Sequence, residues 1–418
     1  MKKILFLVCC LFVSYFSFSQ WDKKKYTDFW NKGDSLYESK DYKNAALAYS
    51  AALVVSAGDV SSWENWVTAS TWCRANYPDS SFFYLNSIEN SKNVTFSNLK
   101  DIITDKNLNL LHNDKRWQPL LETIYKKAEK TFSTPLDSTY TQQEIIYGRK
   151  DGMALTMIHL EPKLNSNNKA IIQIMSGSWR SSILNWNAES SLPYLKKGYS
   201  VFVVFHGSSP VYPLTDIVAD LQRAVRFIRY KAKDFQIDPD KIGVTGASAG
   251  GHLSLLCGLM DIPADNSTGD PVDLVSSKVQ AVACYNPPTD FLNWGIPGLN
   301  IRNTVLFKAP ALNHLSEFRQ WDTQRRLYNY ITDTTEIIKI FKNISPINNV
   351  SVNDAPVLII HGDMDQTVPL QQSESLVKKL QEMKVPVSLI VKKGAGHSLK
   401  ITQEEIKMFI DWFDKYLK

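Results

Sequence analysis

One serine, one histidine and a pair of aspartates stand in settings where they could do chemistry. Gly246-Ala247-Ser248-Ala249-Gly250 follows the apolar run Ile242–Val244 and leads into an apolar helical stretch from Gly251. A serine on a sharp strand-to-helix turn, with small residues on both sides so that strand and helix can close up, is the setting of an exposed oxygen nucleophile. Its hydroxyl is a poor nucleophile until a base takes the proton. Of the seven histidines, His397 fits that task best, in the loop Gly394-Ala395-Gly396-His397 between an expected strand and the C-terminal helix. His252 is four residues from Ser248 and is expected to pack beside the nucleophile. His112, His159, His206 and His314 have no comparable setting. A third group must hold the imidazole and stabilise its charged form. The loop His361-Gly362-Asp363-Met364-Asp365 offers two carboxylates. Asp365, deeper in the loop, is the expected partner of His397, with Asp363 as a loop cap and His361 closing the turn.

Acyl transfer also needs backbone N–H groups aimed at the developing oxyanion. Ala249, directly after the nucleophile, supplies one. The loop Met175-Ser176-Gly177-Ser178-Trp179 follows an apolar run, and Gly177 and Ser178 are the expected second source. Trp179 could wall the acyl pocket, or it could be buried. The chain order Ser248, Asp365, His397 is that of α/β-hydrolases and differs from the orders of the chymotrypsin and subtilisin types.

The elements that must position these residues form an alternating pattern. Ala170–Met175, Ser200–Phe205, Lys241–Thr245, Gln280–Ala283, Pro356–Ile360 and Val387–Lys392 read as strands. Ile145–Tyr147 and Met153–His159 read as a leading antiparallel hairpin. Leu214–Lys231, Gly251–Met260, Ser373–Lys384 and Thr402–Lys415 read as helices. Apolar runs alternating with amphipathic helices predict a mostly parallel sheet flanked by helices. The segment from Pro287 to Ser345 is an excursion rich in aromatics, among them Phe291, Trp294, Phe307, Phe318 and Trp321. It is expected as a cap over the site, with Trp179, Phe291 and Trp294 as candidate substrate contacts. Core packing is the competing reading for each ring.

From about residue 145 to 418 the sequence resembles carbohydrate-esterase-type α/β-hydrolases, the feruloyl/acetylxylan esterase-like group near the hormone-sensitive-lipase and prolyl-oligopeptidase branches. The resemblance lies in Asp238-Pro239-Asp240-Lys241-Ile242 through His252, Pro287-Pro288-Thr289-Asp290-Phe291, the HGDMDQTVP loop and Gly394 to His397. It implies the α/β-hydrolase fold, and it implies that the fifth residue of the HG-x-x-D loop, Asp365, is the triad acid. The chain departs from that group at the oxyanion loop, where Met-Ser-Gly-Ser-Trp stands for the usual His-Gly-Gly-Gly-Trp.

The front of the chain is different. Residues 1–19 carry Lys2 and Lys3, an apolar run from Ile4 to Phe16, and small residues at Ser17 and Ser19. This predicts a signal peptide cleaved near Ser19/Gln20 and export to the periplasm or beyond, without a stable membrane anchor, because the run is too short to span a bilayer. Residues 20–130 have helical periodicity. Phe29, Gly33, Ala45, Tyr49 and Ala52 fall at positions 4, 8, 20, 24 and 27 of a 34-residue frame starting at Tyr26. The stretch resembles a short, degenerate tetratricopeptide array. It is read as a packing partner or as a groove for a protein partner. Residues 131–140 are expected as a linker and 141–418 as the hydrolase domain.

Composition narrows the function further. The 418 residues are 44% hydrophobic and 21% charged with a net charge of +5, which excludes a disordered or multi-spanning chain. No basic stripe suggests nucleic-acid binding. Beyond the leader, Cys73, Cys257 and Cys284 have apolar neighbours and read as buried thiols. No H-E-x-x-H, C-x-x-C, P-loop or G-x-G-x-x-G is present, so no metal or cofactor is assigned. The expectation is an exported serine carboxylesterase acting on small acyl or aryl esters, plausibly acetyl or feruloyl esters of carbohydrates. A peptidase of the prolyl-oligopeptidase type and an inert scaffold that binds a partner through its repeats are the rivals.

Overall fold

The computed structural model describes residues 22–56, 60–89, 91, 94–183, 186–308, 312–397 and 401–418. The expected leader, with Cys9 and Cys10, lies outside them. The chain divides into two compact units, Met1–Thr134 and Pro135–Lys418.

The first unit is helical: α1 (Lys23–Glu38), α2 (Tyr42–Val55), α3 (Ser62–Arg74), α4 (Pro78–Glu89), α5 (Phe96–Thr104) and α6 (Trp117–Ser133). Local chemistry starts several of them. Asp41 caps α2, and Ser61 with Glu64 and Thr95 with Asn98 form reciprocal capping boxes. A Cβ on Gly33 would lie 2.4 Å from the Tyr49 ring, so only glycine lets α1 and α2 close on that aromatic. The third pair is irregular. A 3-10 helix, Lys106–Leu111, separates α5 from α6, and its Leu108 and Leu111 join Phe82, Leu85, Ile88, Ile102 and Ile124 in one core. Helix α6 continues to Ser133, inside the stretch expected as a linker.

The second unit is built on an eight-stranded sheet in the order β1-β2-β4-β3-β5-β6-β9-β10. The strands are β1 (Tyr140–Lys150), β2 (Met153–Pro162), β3 (Ala170–Ile174), β4 (Ser200–Val204), β5 (Ile242–Ala247), β6 (Ala281–Tyr285), β9 (Val357–Gly362) and β10 (Val387–Lys392). β2 runs antiparallel to β1 and β4, and all other pairs are parallel. β3, β4 and β6 are buried at every residue, as their unbroken apolar runs require of strands covered on both faces. The helices are α7 (Leu192–Leu195), α8 (Leu214–Tyr230), α9 (Ala249–Leu259), α10 (Val305–Lys308), α11 (Thr334–Asn343), α12 (Gln371–Glu382) and α13 (Gln403–Tyr416). This is the α/β-hydrolase fold.

The excursion between β6 and β9 differs from a free-standing cap. Phe291, Phe307, Phe318 and Phe341 are buried in the same core as the sheet, so the segment is sealed onto the domain by its own rings. It also contains a small hairpin that the sequence pattern did not reveal, β7 (Arg319–Asp322) and β8 (Leu327–Tyr330). Cys73, Cys257 and Cys284 are buried and free.

One buried ionisable group gives this fold a measurable pH dependence. His159 in β2 stacks on Phe202 with ring centroids 4.4 Å apart, and its Nε2 has no hydrogen-bond partner among the described residues. Burial pushes its pKa down to about 4. Unfolding returns it to near 6.5, so between those values the unfolded chain binds the extra proton. The contribution to stability is complete above about pH 6.5 and declines towards pH 4 by about 1.4 kcal/mol per pH unit. His159→Phe keeps the ring stack and removes the proton. Its denaturant midpoint should fall less between pH 7.5 and pH 5 than that of the wild type, and an equal fall would contradict the assignment.

Candidate active site

Ser248 is the single residue between β5 and α9, at φ 53 and ψ −121. A non-glycine residue with positive φ is strained, and it persists because the surroundings enforce it. Ser248 N–H donates to Tyr285 O at 2.8 Å, and Gly250 N–H donates to Ser176 O at 3.2 Å. A Cβ on Gly246 would sit 2.5 Å from Gly250 O, and one on Gly250 would sit 2.8 Å from Ile174 O. The two glycines let the turn close against itself and against the end of β3.

His397 stands opposite, its Nε2 2.9 Å from Ser248 Oγ and its Nδ1 2.6 Å from Asp365 Oδ2. The other carboxylate oxygen of Asp365 accepts from Thr367 N–H at 2.9 Å and Val368 N–H at 2.8 Å. Burial alone would raise the Asp365 pKa. The hydrogen bonds from His361, His397 and Val368 outweigh it and hold the carboxyl well below its usual range. An ionised Asp365 fixes the proton on Nδ1 of His397 and leaves Nε2 free to accept from Ser248.

The other members of the loop have separate tasks. Asp363 Oδ1 accepts from Gly394 N–H at 2.7 Å, and Asp363 Oδ2 is 3.3 Å from Lys393 Nζ. Asp363 N–H donates to Lys392 O and Met364 N–H to Ala395 O, so the loops after β9 and β10 are laced together. His361 is fully buried, with Nε2 2.9 Å from Val368 O and Nδ1 2.7 Å from Ser373 Oγ.

The loop after β3 corrects one expectation. Gly177 and Arg180 exchange both backbone hydrogen bonds at 3.0 Å, so the Gly177 N–H is committed to a carbonyl and is not an oxyanion donor. Ser178 and Trp179 follow with φ 51 and 56. Among the described residues, the N–H groups of Ser178 and Ala249 have no acceptor. They are the pair left for an oxyanion, and Ala249 adds the positive end of α9.

A buried histidine holds this strained loop. Trp179 Nε1–H donates to His252 Nδ1 at 3.0 Å, and His252 Nε2 is 2.8 Å from Ile344 O. An indole nitrogen only donates, so His252 carries its proton on Nε2. Burial pushes the pKa of His252 down to about 4, against a smaller opposing effect of the Ile344 carbonyl. This pairing joins residues 73 positions apart, and no spacing rule announces it. The loop is also tied to the one after β4: Ser209 N–H donates to Trp179 O at 3.1 Å, and Ser181 N–H to Ser208 Oγ at 2.9 Å.

The expected substrate rings are corrected too. Trp179, Phe291 and Trp294 are only 3%, 1% and 5% exposed. Phe291 packs against Trp179, His252 and Phe341 at centroid distances of 5.7, 5.0 and 5.6 Å. All three are packed into the core and leave almost no ring surface for a ligand.

Comparisons with known proteins agree with the fold. The BD-FAE family profile matches residues 157–380, more than half of the chain, and the chain belongs to that family. The match includes Ser248 and Asp365, while His397 lies beyond it. A probable carboxylic ester hydrolase, LipM, of Mycobacterium tuberculosis is 28% identical over 58% of this chain and 51% of its own length. Esterase LipQ of the same organism is 27% identical over 57% and 52%. The chain thus spans about half the length of these curated relatives. A truncated carbohydrate esterase from gut microbiota superposes with a TM-score of 0.53 at 27% identity, covering 68% of this chain and 98% of that one.

The His252 assignment is open to direct observation. In 15N-histidine spectra, His252 should remain the Nε2–H tautomer from pH 8 to about pH 5, and Trp179→Phe should shift its Nδ1 resonance. Titration of His252 near pH 6.5 would refute the pairing.

Proposed function

We propose that this protein is a serine carboxylesterase that cleaves acyl esters of carbohydrates through an acyl-enzyme. The observation that carries the reading is the unbroken hydrogen-bonded line from Ser248 Oγ through His397 to Asp365, mounted on a strained elbow. The 27% identity to a carbohydrate esterase supports the substrate class, with acetyl and feruloyl groups as the candidate acyl parts.

The steps follow from the atoms present. Ser248 Oγ attacks the ester carbonyl as His397 Nε2 takes its proton. Asp365 keeps the Nδ1–H tautomer and stabilises the imidazolium. The tetrahedral oxyanion is held by the N–H groups of Ser178 and Ala249. His397 then returns the proton to the leaving alcohol. A water deprotonated by His397 attacks the acyl group, which leaves as a carboxylic acid and restores Ser248. In this reading the protein is exported after cleavage near Ser19/Gln20. The helical unit is a tetratricopeptide-like array.

Ser248→Ala should lower turnover of an aryl acetate on the order of 10³–10⁶-fold and abolish labelling by a fluorophosphonate probe, with the thermal midpoint retained. Persistent labelling would remove Ser248 from the role. Asp365→Asn should cost far more turnover than Asp363→Asn, because only Asp365 holds the imidazole. A reversed order would transfer the role. Gly177→Ala should stay within about threefold of wild type, since its Cβ meets open space and its N–H is not a donor to substrate.

A further inference from the structure

The β7–β8 hairpin holds a set of rings that neither the core nor the reaction uses. Cross-strand partners in an antiparallel pair share a face, and alternate residues do as well. The register pairs Arg319 with Tyr330 and Trp321 with Tyr328. Arg319, Trp321, Tyr328 and Tyr330 therefore lie on one face, with Gln320, Asp322, Leu327 and Asn329 on the other. Trp321, Tyr328 and Tyr330 are 47%, 48% and 62% exposed. Trp321 and Tyr328 meet edge to face at 5.0 Å, which fixes their mutual angle.

Arg319 tells where this face looks. Its guanidinium donates to the carbonyl of Val211 and lies 3.5 Å from that of Pro210, in the loop after β4. The Val211 side chain there is itself exposed. The same loop holds the Trp179 carbonyl through Ser209 N–H, next to the Ser178 donor. β4 is separated from β5 by β3 alone. Neighbouring strands are about 4.8 Å apart, so the end of β4 stands about 10 Å from the end of β5, where Ser248 sits.

We propose that this hairpin face is a carbohydrate platform, binding the sugar chain of an ester at a distance from the acyl group presented to Ser248. The proposal rests on the esterase reading and names the residues that select an extended substrate. The half-wet rings decide the ligand chemistry. A flat aromatic acyl group gains most from an enclosed apolar slot. A sugar ring lays one C–H face on an aromatic ring and keeps its hydroxyls in water, which suits rings that are half exposed and rimmed by polar groups. Arg319 donates to the two carbonyls and also lies over the Tyr328 ring, 5.8 Å from its centroid, so it acts as a tether and leaves Trp321 and Tyr330 as the main ligand surface.

The test compares two classes of substrate. Wild type, Trp321→Ala and Tyr330→Ala are assayed on the small esters 4-nitrophenyl acetate and methyl ferulate and on acetylated xylo-oligosaccharides. The kcat/KM ratio of the oligosaccharide to the aryl ester should fall about tenfold in Trp321→Ala and less in Tyr330→Ala, carried by KM. An unchanged ratio would overturn the platform. So would a selective loss on methyl ferulate, which would assign the rings to an aromatic acyl group. Binding of unacetylated xylohexaose and cellohexaose to Ser248→Ala and to Ser248→Ala/Trp321→Ala reads the platform without any turnover. Weaker binding in the double variant supports it, and equal binding or none in either overturns it. A wild type inert towards every ester defeats the esterase reading, while the binding arm still judges the rings.

Discussion

The structure turns on a close approach of backbone to backbone. Between β5 and α9 the chain reverses over the single residue Ser248, held at φ 53. The strain of such a residue is about 1–3 kcal/mol, and it is sustained by what surrounds the turn. The neighbouring strands supply two carbonyl anchors, Tyr285 O from β6 and Ser176 O beyond β3, each receiving an N–H of the elbow. Gly246 and Gly250 leave the space for this, since a methyl group at either would collide with a carbonyl oxygen. The turn leaves Ala249 N–H beside the serine without an acceptor among the described residues, so the strain and the vacant donor are two results of one backbone path. The strand order around β5 matters for the same reason. It places the loops after β3 and β9 on either side of that path.

Two histidines near Ser248 show how environment separates roles. Each ring nitrogen of His252 is engaged, by an indole N–H on one side and a carbonyl on the other, and burial keeps the ring neutral down to about pH 4. It holds a loop and has no lone pair to offer. His397 is partly exposed and meets a carboxylate that is ionised across the neutral range. Its Nε2 faces a hydroxyl. The same side chain is thus a fastener in one place and a proton acceptor in the other.

Much of this was legible in the chain because local pattern and global fold agree. The strands Ser200–Val204 and Val387–Lys392 and the helix Leu214–Tyr230 are plain in apolar runs and amphipathic spacing. Ser248, Asp365 and His397 come together because each ends a strand at the same edge of the sheet, and that edge follows from the parallel pattern. The failures have a common cause. The N–H of Gly177 is consumed by a carbonyl three residues on, a detail of loop conformation that composition does not encode. Trp179, Phe291 and Trp294 are aromatic residues near a site, and sequence does not distinguish a ring beneath a pocket from a ring within it. The β7–β8 hairpin has strands of four residues each, too short for alternation to stand out from a loop.

The lacing of the two loops beyond β9 and β10 has a mechanical consequence. Asp365 and His397 come from segments 32 positions apart, yet Asp363, Met364, Lys392, Gly394 and Ala395 stitch those segments into a single ridge. Acid and base travel as passengers on one body. The assembly has one joint, the gap between Ser248 and His397, where three separately mounted side chains would have two. The pairing of the imidazole with its carboxylate is thus set within that one ridge, apart from the mounting of Ser248 on its own turn.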